Sequence, residues 1–189
     1  MLSAAFLGVF LLTTACFGGD TEVLSSGDRY AAAPGEVEEY RLGVGDKLRL
    51  TVYNEPSLTG EFSVGANGNL ALPLIGEVPA AGLTIPAIVA NAQQRYGDGY
   101  IRDPKVSAEV IAYRPFFILG EVRDPGQYPY TVGLTALSAV ATSQGYTPRA
   151  NQRVISIRRE GEADEKTYLV TPNLRIYPGD VIRVGERYF

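Results

Sequence analysis

Two segments of this chain carry the same short motifs in the same order, and this internal repeat constrains the fold more than any other feature. Residues 74–78 (LIGEV) precede residues 82–84 (GLT), and residues 118–122 (ILGEV) precede residues 133–135 (GLT). A segment with helical spacing of apolar residues follows each Gly-Leu-Thr. Gly-Glu-Val is a common turn sequence by itself, but the shared order favours two related units.

A second echo links the two ends of this region. Residues 174–184 (LRIYPGDVIRV) resemble residues 40–50 (YRLGVGDKLRL), and each segment contains a Gly-Asp before an apolar stretch. Gly-Asp is also a common turn dipeptide. Its position before two similar stretches supports the view that the chain contains one unit twice.

Short strands are predicted in both units. Residues 47–53 alternate between apolar and polar side chains, which indicates a strand with one buried face. Asn67-Gly68 lies between two short segments, 61–64 and 69–72, and this dipeptide is a strong signal for a β-hairpin. Further strands are predicted at residues 106–112, 153–158 and 166–170.

One helix is predicted in each unit. Thr84 is the expected N-cap of the first helix, with Pro86 in its first turn. Its apolar face comprises Ile85, Ile88, Val89, Ala92 and Tyr96. The second helix is expected to end at Gly145 and to bury Leu137, Val140 and Ala141. Together these elements predict an α+β fold of two small units, each a curled sheet with one helix.

The N-terminus predicts export from the cytoplasm. The first 15 residues, MLSAAFLGVFLLTTA, are uncharged and largely apolar, which is typical of a secretory signal peptide. Small residues precede Cys16, the only cysteine, and this arrangement resembles a bacterial lipoprotein signal in which Cys16 carries the lipid. A plain secretory signal or a buried N-terminal helix is the alternative. Residues 16–39 have the composition of a tether.

The composition argues against several classes of function. The chain has no histidine, which removes the commonest general base and metal ligand. A single cysteine excludes an internal disulfide and a cysteine-cluster zinc site. Motifs for a nucleophile elbow, a phosphate loop or a dinucleotide site are absent. With a net charge of −4, nucleic acid is an unexpected partner. We therefore expect no catalytic residue, no metal and no cofactor.

Two long segments resemble known domains. Residues 40–64 and 68–84 resemble the polysaccharide export domain of the Wza-like outer-membrane polysaccharide export family. Residues 116–148, 154–159 and 174–184 resemble the soluble-ligand-binding β-grasp (SLBB) domain that follows it in that family. The expected organisation is a lipoprotein signal peptide (1–15), a tether (16–39), a polysaccharide export domain (40–112) and an SLBB-type β-grasp domain (113–189).

The resemblance implies a scaffold or conduit, not an enzyme, for export of a capsular polysaccharide or exopolysaccharide. It implies a homo-oligomeric ring in the periplasm, anchored to the inner leaflet of the outer membrane through Cys16, with an inner-membrane polysaccharide co-polymerase as partner. Full-length members carry a C-terminal amphipathic helix that forms the outer-membrane pore. This chain stops soon after its last predicted strand, so it resembles the short class of the family, which needs a separate outer-membrane channel. The alternative is a monomeric periplasmic module that binds or senses a glycan.

A cluster of tyrosines and arginines supplies the candidate site. The chain has 12 tyrosines and no tryptophan, and a flat ring can cover the C–H face of a sugar. Tyrosine also suits half-buried strand positions and subunit interfaces, and this alternative stays open. The candidates for contact with polysaccharide or with a neighbouring subunit are Tyr113, Arg114, Arg123, Tyr128 and Tyr130.

Overall fold

The computed structural model describes residues 23–24 and 39–187, and within them the chain forms two successive α+β domains. The first contains β2 (Lys47–Val52), a 3₁₀ turn (Pro56–Leu58), β3 (Gly60–Ser63), β4 (Asn69–Leu72), β5 (Gly76–Pro79), α1 (Ile85–Gly97) and β6 (Val106–Ala112). The second contains β7 (Phe116–Gly120), β8 (Gly126–Tyr128), α2 (Ala136–Thr142), β9 (Val154–Arg158), β10 (Lys166–Leu169) and β11 (Val181–Val184). A short strand, β1 (Val23–Leu24), precedes both domains.

The first domain packs one helix against antiparallel strands. β2 lies between β3 and β6, and β4 and β5 form a separate pair. Alternate residues of β2 are buried, as the sequence pattern predicts. α1 buries Ile88, Ala92 and Tyr96, with Ile85 and Val89 half-buried beside them, which confirms its predicted apolar face.

The second domain is a mixed sheet with the strand order β1-β10-β9-β11-β7-β8. β7 and β8 form a hairpin, α2 follows, and β11 returns parallel to β7 and antiparallel to β9. A hairpin, a helix and a returning parallel strand form a β-grasp arrangement. The predicted fold class, α+β with a β-grasp second domain, is confirmed.

The predicted buried face of α2 is confirmed at Val140 but wrong at Leu137 and Ala141. Leu137 and Ala141 are exposed, whereas Ala136, Ala139 and Val140 are buried. The rotation of this short helix is fixed at its start, because the backbone N–H of Ala136 donates to the Leu174 carbonyl oxygen at 2.8 Å. The small residues at 136 and 139 share one helical face and face the core.

The Asn67-Gly68 turn forms, but it does not join two strands of a hairpin. β3 pairs with β2, and β4 pairs with β5, so the turn connects strands of different sheets. The carbonyl oxygen of Gly68 accepts hydrogen bonds from the backbone N–H groups of Ala80 and Ala81. These bonds hold the turn against the end of β5, and the hairpin prediction is therefore wrong.

The repeated Gly-Glu-Val motif reproduces a backbone conformation without reproducing a strand arrangement. Gly76 and Gly120 both have positive φ, 68° and 86°. Gly76 opens β5, whereas Gly120 closes β7. A Cβ at position 120 would lie 2.1 Å from the Val184 carbonyl oxygen, so this position requires glycine on steric grounds as well.

The N-terminal region is described only in part. Val23 and Leu24 pair in parallel with Thr167 and Tyr168 of β10, so the segment predicted as a tether contributes a short edge strand. The physical reason is that an edge strand offers unpaired backbone groups to any extended segment nearby. The predicted signal peptide, residues 1–15, and Cys16 lie outside the described residues. Among those described, no helix is long and apolar enough to span a bilayer.

Candidate functional site

Two turns of the same design lie where the domains meet. Residues 43–46 lead into β2, and residues 177–180 lead into β11. The backbone N–H of Gly43 donates to the carboxylate of Asp46, and that of Tyr177 donates to the carboxylate of Asp180, both at 2.8 Å. Both aspartates are fully buried. Each carboxylate therefore closes its own turn, which is a common role of aspartate in turns.

Arg114, in the linker between β6 and β7, contacts both turns. Its backbone N–H donates to Asp46 Oδ1 at 2.8 Å, and its Nη1 donates to Asp46 Oδ2 at 3.1 Å. Its Nε lies 2.5 Å from Glu160 Oε2. A Cβ at Gly43 would lie 2.2 Å from Nη1, and one at Gly179 would lie 2.9 Å from Nε. The two glycines therefore make room for the guanidinium group between the domains.

Tyr40 completes this buried junction. Its hydroxyl donates to Asp46 Oδ2 at 2.5 Å and accepts a hydrogen bond from Arg114 Nη1 at 2.8 Å. The pKa of Tyr40 lies well above its ordinary value. Burial is the largest cause, and the hydrogen bond to Asp46 and the charge of that carboxylate raise the pKa further. The phenol consequently stays neutral and keeps donating. Asp46 thus has an opposite charge and several donors, which a buried carboxylate requires.

A cleft of about 700 Å³ opens beside the junction. Its volume lies within the range of small-ligand sites. The first domain and the linker contribute Glu39, Tyr40, Arg41, Tyr113 and Arg114 to its lining. The second domain contributes Tyr130, Arg159, Arg175 and Tyr177, together with Val132, Gly133, Leu134, Ile176 and Pro178. The cleft therefore combines aromatic rings with guanidinium groups.

Three tyrosine rings form a continuous series along this lining. Tyr40 and Tyr113 meet edge to face with their ring centroids 4.9 Å apart, and Tyr113 and Tyr130 meet in the same way at 5.5 Å. This geometry is the favoured one for aromatic pairs. Burial raises the pKa of Tyr130, so its hydroxyl is neutral at physiological pH. The series links the first domain, the linker and the second domain.

Arg41 and Arg175 occupy matching positions in the two echoing segments. The residue after each, Leu42 or Ile176, is buried. The backbone N–H of Leu42 donates to the Leu83 carbonyl oxygen at 3.0 Å, and that of Ile176 donates to the Leu134 carbonyl oxygen at 2.9 Å. Leu83 and Leu134 are the leucines of the two Gly-Leu-Thr motifs. The repeat therefore positions an arginine from each domain at the cleft.

The structure brings together three of the five predicted site residues. Tyr113, Arg114 and Tyr130 all line the cleft. Tyr128 lies apart from it: its ring stacks on Phe116 at 5.9 Å, and its hydroxyl donates to the Asp124 carbonyl oxygen at 2.7 Å. Arg123 is exposed and is not part of the cleft lining.

Sequence reasoning missed the other half of the cleft. Tyr40, Arg41 and Asp46 are far from the predicted cluster along the chain, and so are Arg175 and Tyr177. The similarity between residues 40–50 and 174–184 was the one available indication, because all five residues lie within these two segments. Of the side chains that contact Arg114, Tyr40 and Asp46 lie within these repeated segments, whereas Glu160 lies outside them.

Comparison with known proteins assigns both domains. Residues 34–111 match the family model for polysaccharide biosynthesis/export proteins, and residues 114–184 match the model for the SLBB domain. The curated relatives include the exopolysaccharide production protein ExoF of Rhizobium meliloti, which is 37% identical over 129 residues. That alignment covers 60% of this chain and 30% of the relative.

Two other relatives align over most of the chain. The EPS I polysaccharide export outer membrane protein EpsA of Ralstonia nicotianae is 26% identical over 182 residues, which cover 78% of this chain and 48% of the relative. The polysialic acid transport protein KpsD of Escherichia coli is 24% identical over 165 residues, which cover 79% of this chain and 28% of the relative.

The chain thus spans less than half the length of these curated relatives. Its two domain matches follow each other in the order that the sequence resemblance implied. Family membership also places it among transport components and not among enzymes. The chain belongs to the outer-membrane polysaccharide export family.

Proposed function

We propose that this chain is a periplasmic component of the machinery that exports a capsular polysaccharide or exopolysaccharide across the cell envelope. The observation that carries the proposal is the succession of a polysaccharide export domain and an SLBB domain, joined through Arg114. The names of the relatives support the same process, since they describe exopolysaccharide production, polysaccharide export and polysialic acid transport.

The test is deletion of the gene and complementation with the full chain. Secreted and cell-surface polysaccharide should fall strongly in the deletion strain and return with the complementing gene. Polymer retained inside the envelope is measured in parallel, because a defect in synthesis lowers both pools whereas a defect in export lowers only the outer one. Unchanged secretion in the deletion strain contradicts the proposal.

We place the chain in a closed ring of identical subunits that works with an inner-membrane polysaccharide co-polymerase. Small domains gain stability from area buried between subunits, and head-to-tail contacts close when the rotation allows. Light scattering and native mass spectrometry of the full chain, alone and with the co-polymerase, test this assembly. A strict monomer under both conditions contradicts the ring.

The proposed location is the inner leaflet of the outer membrane, with Cys16 as the lipid attachment site. Its support is the position of the only cysteine after small residues at the end of an apolar segment. Cys16→Ser should shift the protein from the membrane fraction to the soluble periplasm. Thr14→Ser is the matched control, since it keeps a small residue before the cysteine and should leave the protein in the membrane fraction. Equal membrane association of the Cys16→Ser variant and the parent contradicts the anchor.

The second candidate is a monomeric periplasmic module that binds or senses a glycan. The cleft favours it, because tyrosine rings and guanidinium groups occur together in a volume suited to a small ligand. A monomer that binds oligosaccharide, in a strain whose export does not depend on the gene, would select this candidate over the scaffold.

A further inference from the structure

The cleft between the domains concentrates positive charge in an acidic protein. The chain has a net charge of −4, yet the cleft is lined by four arginines and one glutamate. Arg114 is committed to Asp46 and Glu160 within the junction. The lining also contains Arg41, Arg159 and Arg175, and the guanidinium group of Arg159 lies 5.1 Å from the centroid of the Tyr177 ring.

Arg41 is the clearest of these groups. Its Nη1 donates to the Gly82 carbonyl oxygen at 2.9 Å, and the side chain is exposed at this contact. A neutral carbonyl orients the guanidinium group without neutralising its charge, and Arg41 forms no ion pair with any residue from 39 to 187. A guanidinium group pairs well with a carboxylate, because two of its N–H groups match the two oxygens of that anion.

The aromatic series provides the second element of recognition. Tyr113 makes edge-to-face contacts with both Tyr40 and Tyr130, and all three phenol groups line the cleft together with the arginines. The face of a phenol ring carries negative electrostatic potential and attracts the weakly positive C–H groups of a sugar. The cleft therefore offers a surface for a saccharide ring beside groups for an anion.

We propose that this cleft binds an acidic saccharide unit, meaning a sugar that carries a carboxylate, with Arg41 at the carboxylate and Tyr113 against the sugar ring. The site deepens the proposed export function and rests on it, since the acidic sugar would belong to the exported polymer. Weak binding is expected, because a component along an export route must release each unit again.

The binding test uses the full chain and a trimer of galacturonic acid. The comparison is maltotriose, a neutral trimer of glucose. Isothermal titration calorimetry should give binding of the acidic trimer that is at least about tenfold tighter than that of the neutral one, and that weakens as salt is added. Inorganic phosphate is the competing anion. Displacement of the acidic trimer by an equal concentration of phosphate would reassign the site to phosphate groups and overturn the proposal.

Three variants and one control locate the site. Arg41→Glu should weaken binding of the acidic trimer about tenfold or more, because the favourable charge becomes repulsive. Arg102→Glu makes the same charge change at an exposed arginine outside the cleft lining and should bind within about twofold of the parent. Tyr113→Ala should weaken the binding of both trimers. Val132 lines the cleft and is 77% exposed, so Val132→Trp should fill part of the cleft and block binding without disturbing the fold.

Equal binding of the two trimers, or equal behaviour of Arg41→Glu and Arg102→Glu, overturns the proposal. So does an Arg41-dependent dimer in light scattering that binds neither trimer, which would assign the cleft to a second copy of the chain. Export in cells separates this failure from failure of the proposed function. If secretion needs the gene but tolerates Arg41→Glu and Val132→Trp as well as Arg102→Glu, the export function stands and the acidic-sugar site falls.

Discussion

Replacement of Arg114 by alanine tests whether one side chain holds the two domains together. Asp46 is fully buried, and the Arg114 side chain is 17% exposed. Loss of one partner of a buried ion pair typically costs about 3–5 kcal/mol, because the remaining charge stays buried without its counter-charge. Asp46 keeps donors from the backbone N–H groups of Gly43 and residue 114 and from the Tyr40 hydroxyl. We therefore expect the lower end of that range, about 3 kcal/mol.

The measurements are urea denaturation, which gives the free energy of unfolding, and a thermal melt, which gives Tm, both followed by circular dichroism. A loss of about 3 kcal/mol corresponds to a fall in Tm of about 6–12 °C for a protein of this size. Arg49→Ala is the matched control, because Arg49 pairs with Glu61 and Glu109 at a surface where all three side chains are at least half exposed. Its loss should change the stability little, because solvent screens an ion pair between exposed side chains. If Arg114→Ala costs no more than Arg49→Ala, the junction does not carry the stability assigned to it.

Three further substitutions test other parts of the molecule. Tyr96 is fully buried, and its hydroxyl has no hydrogen-bond partner among the described residues. Tyr96→Phe should therefore stabilise the protein by about 1 kcal/mol, as measured by urea denaturation. A loss of stability would show that the hydroxyl does have a hydrogen-bond partner. The raised pKa of Tyr40 means that the folded state retains a proton that the unfolded state loses above about pH 10. The stability of the parent should therefore fall as the pH rises above that value. Tyr40→Phe should be less stable than the parent at pH 7, but its Tm should fall less than that of the parent between pH 9 and 11 in thermal melts. Gly120→Ala should cost about 3 kcal/mol or prevent folding, because of the contact with Val184 and the positive φ, and a melt like that of the parent would contradict this steric reading.

Local patterns predicted those elements whose surroundings follow from their own sequence. β2 alternates because one face meets the core, and α1 is long enough for five apolar positions to define one face. α2 has seven residues, and a backbone hydrogen bond to Leu174 decides which way it turns. The hairpin predicted at Asn67-Gly68 was wrong for a similar reason, since contacts with residues 80 and 81 decide which strands the turn joins. In both cases a distant backbone contact outweighed a local preference.

The candidate site was predictable only in the half that is continuous along the chain. Tyr113, Arg114 and Tyr130 are near one another in sequence, whereas Tyr40 reaches Arg114 across 74 positions. Burial of a charged residue such as Asp46 runs against its usual preference for the surface, so no pattern of hydrophobicity could have revealed it. The pairing of the two Gly-Asp turns was present in the sequence as an echo, but the contact between them depends on the linker.

The fixed linker has a consequence for how copies of this chain would assemble. In a cyclic assembly the rotation from one subunit to the next sets the number of subunits, so a change in that rotation changes the size of the ring. If each domain contacts its counterpart in the neighbouring copy, the angle between domains contributes directly to that rotation. Arg114, held between Gly43 and Gly179, would then fix the angle between the domains and with it the number of subunits in the ring. A side chain that left this angle free to vary would give rings of mixed size.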